Sequence, residues 1–399
     1  MFDAPRSELL ALLTAIKAEP EEDTPKLALA DWLQEQSGEA DQARGEFLHQ
    51  FVRNNQLAKT DPARQDFGAL TRLWERHAKA WAGMLRSVGF AVWATNHMFR
   101  WGLLFPAFDG AAGALRFANR VAGTEEYAWV AGIAFRAADD YEAVAFAGSP
   151  LLDSLVGLRV PPAAASYALL GRLFESPRLA ALQSLDMSEG AGPLDVLARS
   201  ARLPALRHLA ARRSALDADG FRALCDAPHL NALRSLDASG NGLMLDEARA
   251  FAEGTGLPAL TELNLGASNR LGADGLRALF AGTRTGRLRK LNVSSNDAGD
   301  GGAEALCVQP HMCNLTHLDL TNNRLTNRAA VALASAEHLK TLEDLNLSAN
   351  AITADGAAAL VKSPHLTNLR RLDLSQNARV GAKGAKALRA RFGDAAILS

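Results

Sequence analysis

The sequence predicts an α/β fold, a right-handed solenoid with a parallel sheet on its concave face and helices on its convex face, behind an all-α N-terminal region. Three observations predict it. A pattern LxxLxLxxN recurs along the chain, and its asparagines at 296, 323, 350 and 377 stand 27 residues apart. The clearest copies are followed by an alanine-rich stretch opened by Thr or Asp. All six tryptophans (Trp32, Trp74, Trp81, Trp93, Trp101, Trp129) fall in the first third, so that third is packed by a different core chemistry.

The repeat comes first, because a fixed period decides the fold. Leu315, Leu318, Leu320 and Asn323 form one copy. Leu342, Leu345, Leu347, Asn350 form the next, then Leu369, Leu372, Leu374, Asn377. Going backwards, Leu288, Leu291, Val293, Asn296 and Leu233, Leu236, Ala238, Asn241 fit as well, and Asn269 follows Leu260, Leu263, Leu265 with a shift of one. Weaker copies end at Ser214, Gly190, Ala163 and Ala138, which makes ten, with a possible eleventh near Trp101 and Leu104.

The strand of each unit follows from its alternation. The fourth and sixth positions point inward and the residues beside them outward. Neighbouring strands stack at roughly 4.8 Å per repeat. The ladder Asn241, Asn269, Asn296, Asn323, Asn350, Asn377 stands where the chain turns inward and leaves backbone groups unpaired; a buried amide carries donors and an acceptor for them.

The helix of each unit is clearest at Thr353-Ala-Asp355-Gly356-Ala-Ala-Ala-Leu360, with capping residue types at its start and alanines that favour close approach. Ala273-Asp274-Gly275 and Ala218-Asp219-Gly220 open two more, and Ser363-Pro364-His365 ends one. Helices are wider than strands, so stacking them on one side curves the array. At these residues the chain resembles the ribonuclease-inhibitor-like class of leucine-rich repeats, well over 130–393 and less well over 98–130. The resemblance implies a horseshoe that binds protein. Units before Leu206 lack the asparagine, so irregular turns are expected there.

Residues 6–90 read as helices: Glu8–Ile16, Lys26–Gln36 behind a Thr24-Pro25 start, Arg44–Leu57 and Pro62–Leu85. Leu9-Leu10, Glu19-Pro20, the run Asp23 to Leu33 and Arg44-Gly45-Glu46-Phe47 resemble a small bacterial domain, the repeat-companion domain, found ahead of repeat arrays. The chain departs from that pattern in a longer Ser37–Ala43 connection. The resemblance implies architecture and no chemistry; either a cap on the open end of the solenoid or a second docking domain follows. The expected organisation is 1–90 helical, 91–175 irregular first repeats and 176–399 regular repeats.

Charge and cysteine content bound the function. Residues 1–90 carry 14 acidic and 11 basic groups in a chain of net charge −1, so no basic excess draws in nucleic acid or an anionic membrane. Cys225, Cys307 and Cys313 are an odd, sparse set that fits a reducing compartment. The apolar run Leu9–Ile16 is too short and too acidic in its flanks for a secretory signal, and no stretch is long enough to span a bilayer. The expected location is cytoplasmic.

Sites of chemistry are not expected. Cys307, His311, Cys313 and His317 lack the spacing of a zinc site, and Gly381–Lys386 lacks that of a phosphate loop. No cofactor, metal or catalytic residue is assigned. The outward strand positions are the informative ones. A central column reads Asp186, Ala210, Asp237, Asn264, Asn292, Asp319, Asn346, Asp373. A neighbouring one reads Ser184, His208, Ser235, Glu262, Lys290, His317, Asp344, Arg371, and a third includes Arg212. This is either a solvated polar face or an acidic, amide-rich groove for a basic protein or peptide. The columns hold no aromatic anchor, so a salt-sensitive contact is expected. Trp93, Phe99, Trp101, Phe105 and Phe108 are core or a rival apolar patch. The leading function is a non-catalytic protein-binding scaffold. Alternatives are an inhibitor that occludes an enzyme, an enzyme with its site in the helical or 90–175 region, and a structural spacer.

Overall fold

A computed structural model describes residues 6–57, 67–87, 99–108, 110–121, 123–135, 140–160, 167–189, 194–267 and 269–398. Trp93 and the weak-copy turn residues Ala138, Ala163 and Gly190 lie outside the described residues. The chain packs as two compact units, Met1–Leu185 and Asp186–Ser399.

The first unit opens with α1 (Ser7–Ala18), α2 (Thr24–Gln34), α3 (Glu39–Gln56) and α4 (Phe67–Ser87). A short antiparallel pair follows, β1 (Phe99–Arg100) with β2 (Leu103–Leu104). Then come β3 (Ala107–Phe108), α5 (Ala111–Val121), α6 (Glu125–Ala128), β4 (Gly132–Phe135), α7 (Asp140–Ala147), β5 (Gly157–Arg159), α8 (Tyr167–Phe174) and β6 (Ser184–Asp186). β3, β4 and β5 pair in parallel.

Two features differ from the sequence expectation. α3 begins at Glu39, so most of the Ser37–Ala43 connection is helix; Glu39 and Asp41 in its first turn favour the positive end of the helix dipole. α2 starts at Thr24 itself, with Asp23 before it and Pro25 in its first turn; Asp23 accepts from Lys26 Nζ at 3.2 Å instead of capping the backbone.

The helices are welded to the first repeats by buried side chains. Gly45 on α3 sits where a Cβ would lie 2.7 Å from the Ala30 carbonyl oxygen, so any larger residue pushes α2 and α3 apart. Beside it, the buried Arg44 guanidinium stacks 3.6 Å from the Trp129 ring centre and 5.4 Å from that of Trp81. It donates to the Trp81 carbonyl at 3.2 Å. Burial works against the Arg44 charge, while Glu125, Asp41 and Glu126 support it, and a guanidinium stays protonated. Arg6 ties Asp41 to Glu125, each at 2.7 Å. Gln183 Nε2 donates to the Lys17 and Ala18 carbonyls at 2.8 and 3.1 Å, closing the end of α1. Trp101, Phe105 and Phe108 are buried, so these three are core and not an exposed patch.

The second unit is regular. It contains α9 (Leu194–Arg199), β7 (His208–Ala210), α10 (Ala218–Cys225), β8 (Ser235–Asp237), α11 (Leu245–Glu253), β9 (Glu262–Asn264), α12 (Gly272–Ala281) and β10 (Lys290–Asn292). It continues with α13 (Gly299–Cys307), β11 (His317–Asp319), α14 (Asn327–Ser335), β12 (Asp344–Asn346), α15 (Ala354–Lys362), β13 (Arg371–Asp373), α16 (Gly381–Phe392) and β14 (Ala396–Ile397). β7 to β14 pair in chain order, all parallel. β14 lies beyond the last copy of the sequence pattern.

Each of β7 to β13 is three residues with one leucine at its centre. Leu209, Leu236, Leu263, Leu291, Leu318, Leu345 and Leu372 stand in register and are buried. The helices cap one another. Asp300 on α13 accepts from the Thr326 and Ala329 backbone at the start of α14. Asn327 on α14 accepts from the Thr353 and Gly356 backbone at the start of α15, at 2.9 and 3.1 Å. Gly356 is the residue that leaves room, since a Cβ there would meet Asn327 Oδ1 at 2.5 Å. Among the described residues no helix is long and apolar enough to cross a membrane.

Candidate functional site: the sheet face of the second unit

Behind the sheet, the asparagines tie each repeat to its neighbours. Asn323 is fully buried; its Nδ2 donates to the Val293 and Thr321 carbonyls, and its Oδ1 accepts from the Asn296 and Ala298 backbone. Asn296, Asn350 and Asn377 likewise donate from Nδ2 to the Leu265, Leu320 and Leu347 carbonyls of the preceding unit, and Asn241 and Asn269 link the earlier units. Ser214 takes the same place one unit earlier, its hydroxyl donating to the Met187 carbonyl at 2.8 Å and its N–H to Asn241 Oδ1 at 2.6 Å. The turn places residues on both sides of the asparagine in the left-handed region: Ser295 and Asp297 around Asn296, Asn322 and Arg324 around Asn323, and Ala349 before Asn350.

In front, the central column does two things at once. One carboxylate or amide oxygen of each Asp or Asn accepts from the backbone N–H two residues on. The distance is 2.9 Å from Ser188 to Asp186, 3.1 Å from Ser239 to Asp237 and 3.0 Å from Gly266 to Asn264. It is 2.8 Å from Ser294 to Asn292, 2.9 Å from Thr321 to Asp319, 3.0 Å from Ser348 to Asn346 and 2.9 Å from Ser375 to Asp373. This side-chain turn guides the chain off the strand. The second atom of each side chain, an Nδ2 donor on asparagine and an Oδ2 acceptor on aspartate, faces outward, where some of the aspartates pair with a cation of the chain. The signal was in the sequence: from Asp186 onward, Asp or Asn is followed two residues later by Ser, Thr or Gly in every copy but one.

That one copy has Ala210, and there Arg212 fills the gap. Its guanidinium lies 3.9 Å from Asp186 Oδ2 and 3.8 Å from Asp237 Oδ2, joining the carboxylates on either side. In the neighbouring column, Lys290 pairs with Glu262 at 2.6 Å, and Arg371 reaches Asp344 at 3.5 Å and Asp373 at 3.3 Å. His317 Nδ1 is 2.9 Å from Thr316 Oγ1.

A shallow groove of about 380 Å³ runs across β8 to β13. It is lined by Ser235, Asp237, Glu262, Asn264, Lys290, Asn292, His317, Asp319, Asp344, Asn346 and Arg371. Asp186, His208, Arg212 and Asp373 stand on the same columns but do not line it. Asp373 is 7% exposed and spends both oxygens on Ser375 and Arg371, so it belongs to the support of the groove and not to its floor. Burial pushes the Cys225 and Cys307 thiols up to about 12, which makes them poor nucleophiles. Among the described residues no three His, Cys, Asp or Glu side chains are placed to hold a metal ion.

A family model described as Leucine Rich repeat matches residues 288–307, 311–334, 338–361 and 365–388. Each segment is one helix and strand step of the second unit. The chain carries leucine-rich repeats. The repeats matched are those that carry Asn296, Asn323, Asn350 and Asn377. Among solved structures, InlP of Listeria monocytogenes is similar at 20% identity over 56% of this chain and 57% of that one, with a TM-score of 0.37. A Bacteroides fragilis protein is similar at 17% identity over 63% and 80%, with a TM-score of 0.45. The Rad7 and Elc1 complex of yeast gives 15% identity over 90% and 92%, with a TM-score of 0.46. This chain therefore spans little more than half the length of InlP. No curated protein matches it.

Proposed function

We propose that the protein is a non-catalytic scaffold that binds another protein across the sheet face of its leucine-rich repeats. Repeats of this kind serve in general as protein-interaction scaffolds. The observation that supports the reading here is the groove: outward side chains of six successive strands, held at fixed spacing by the asparagine ladder and by the side-chain turns. A rigid polar surface costs little ordering on binding. Its columns carry six carboxylates (Asp186, Asp237, Glu262, Asp319, Asp344, Asp373) against three cations (Arg212, Lys290, Arg371), so the preferred partner surface is basic. Without aromatic anchors the contact is electrostatic and weakens as salt rises.

Ser235 and His317 test this, because neither side chain shapes a turn. Ser235→Trp with His317→Trp obstructs the groove while strands accept aromatics. A partner retained from native lysate by the wild-type chain and lost by this variant, with unchanged melting, is the expected outcome. Equal retention by both places binding elsewhere. The same reading makes catalysis unnecessary, and it assigns no cofactor, nucleic acid or membrane to the chain.

A further inference from the structure

We infer that His317 and Asp319 form a subsite for one lysine or arginine side chain of the bound protein; the inference rests on the groove reading above. It comes from the charge balance within the groove columns. Asp186 and Asp237 share Arg212, Glu262 has Lys290, and Asp344 and Asp373 share Arg371. Among the described residues Asp319 has no cation. Its Oδ1 accepts from the Thr321 N–H at 2.9 Å, which leaves Oδ2 for the groove.

His317 stands two residues earlier on the same strand, and so on the same face. Its tautomer follows from its neighbours. Thr316 Oγ1 lies 3.0 Å from the Arg289 carbonyl, and with its single proton directed there it accepts from His317 Nδ1 at 2.9 Å. The neutral ring then carries its proton on Nδ1 and presents Nε2 as an acceptor. Two acceptors on one strand face therefore lack a donor. They lie between Lys290, already held by Glu262, and Asp344, already held by Arg371. On either side the central column offers Asn292 and Asn346, whose Oδ1 atoms are committed to the turns. Their Nδ2 groups are donors. A cationic side chain meets Asp319 and His317, while the carbonyls of the segment that carries it meet the two amides. The two cations that line the groove, Lys290 and Arg371, already hold carboxylates.

The experiment uses the full chain and a random peptide library. Peptides selected by the wild type are resynthesised with a photoreactive group, their attachment points are mapped by mass spectrometry, and their affinities are measured by fluorescence anisotropy. The key variant is Asp319→Asn, which keeps the Oδ1 acceptor for Thr321 and removes the charge. Asparagine already occupies the equivalent positions 264, 292 and 346, so melting should be unchanged. The expected result is enrichment of peptides with a basic residue that attach at β10 to β12. Their affinity should fall roughly tenfold to a hundredfold on Asp319→Asn, and by a similar factor when that basic residue is replaced by alanine. Groove-attached peptides that bind Asp319→Asn as well as wild type, or that carry no basic residue, overturn the subsite and leave the groove reading in place. Attachment outside the sheet face, or an empty selection, counts against both.

Discussion

Asn323 shows how one amide ties two repeats together. Four polar backbone groups converge on it: the Val293 carbonyl and the Asn296 and Ala298 N–H groups of the preceding repeat, and the Thr321 carbonyl of its own. Asn323→Ala should cost about 1–3 kcal/mol, the penalty for leaving buried donors and acceptors unpaired. Chemical denaturation reads this directly, and an unchanged midpoint would remove the ladder from the account. Ala349 makes the opposite prediction. It sits at φ 55°, in the left-handed region that glycine enters freely. Ala349→Gly should therefore raise stability by about 1 kcal/mol, less the extra flexibility glycine gives the unfolded chain. The ladder positions were legible because the asparagine recurs at a fixed offset. Ser214 was legible only as a gap in the pattern; that its hydroxyl does the same work depends on a 2.8 Å approach to the Met187 carbonyl that no spacing reveals. Arg212 was legible as an outward residue but not as the bridge between Asp186 and Asp237.

Among the elements, strands and helices of the second unit followed from periodicity, because each has one buried face and its leucines mark it. The N-terminal helices were legible in number and less so in their limits. Nothing in Ser37–Ala43 announces that a helix starts at Glu39, since helix starts depend on which backbone donors find partners. The contact between α2 and α3 was hidden as well, because Gly45 reads locally as a weak point in a helix. With 2.7 Å between its missing Cβ and the Ala30 carbonyl, Gly45→Ala should be destabilising although alanine favours helix, and circular dichroism melts will show the sign. Arg44→Lys should also destabilise, because a lysine cannot stack flat on Trp129. At the end of α1, burial pushes the Lys17 ammonium down from 10.5 to about 8. The folded chain releases that proton before the unfolded one does, so stability should rise as pH climbs from about 8 towards 10.5 and be lost again as pH falls through that window. Lys17→Met should flatten this dependence, measured as denaturation midpoints at the two ends; a slope kept by the variant assigns it to another group.

The molecule as a whole has two cores of different composition, and this gives a simple optical test. Every tryptophan lies in the unit that ends at Leu185, while most regular repeats lie beyond it. Tryptophan emission should follow the first unit alone, and far-ultraviolet dichroism both. A mutation such as Asn323→Ala should shift the dichroic transition and leave the emission transition near its wild-type position; coincident shifts would show that the units unfold as one. The repeat architecture, and with it the outward columns, could be read from sequence alone. What could not be read is which column residues are spent inside the chain, because pairing across strands depends on rotamers: Lys290 with Glu262, Arg371 with Asp344 and Asp373. That distinction decides which side chains remain for a partner. The measurement that bears most directly on the account is photo-cross-linking of a partner captured from native lysate, mapped residue by residue, on the wild type and on Ser235→Trp with His317→Trp. Cross-links along β8 to β13 that vanish in the variant are the predicted result. Cross-links elsewhere, unchanged by filling the groove, would contradict it.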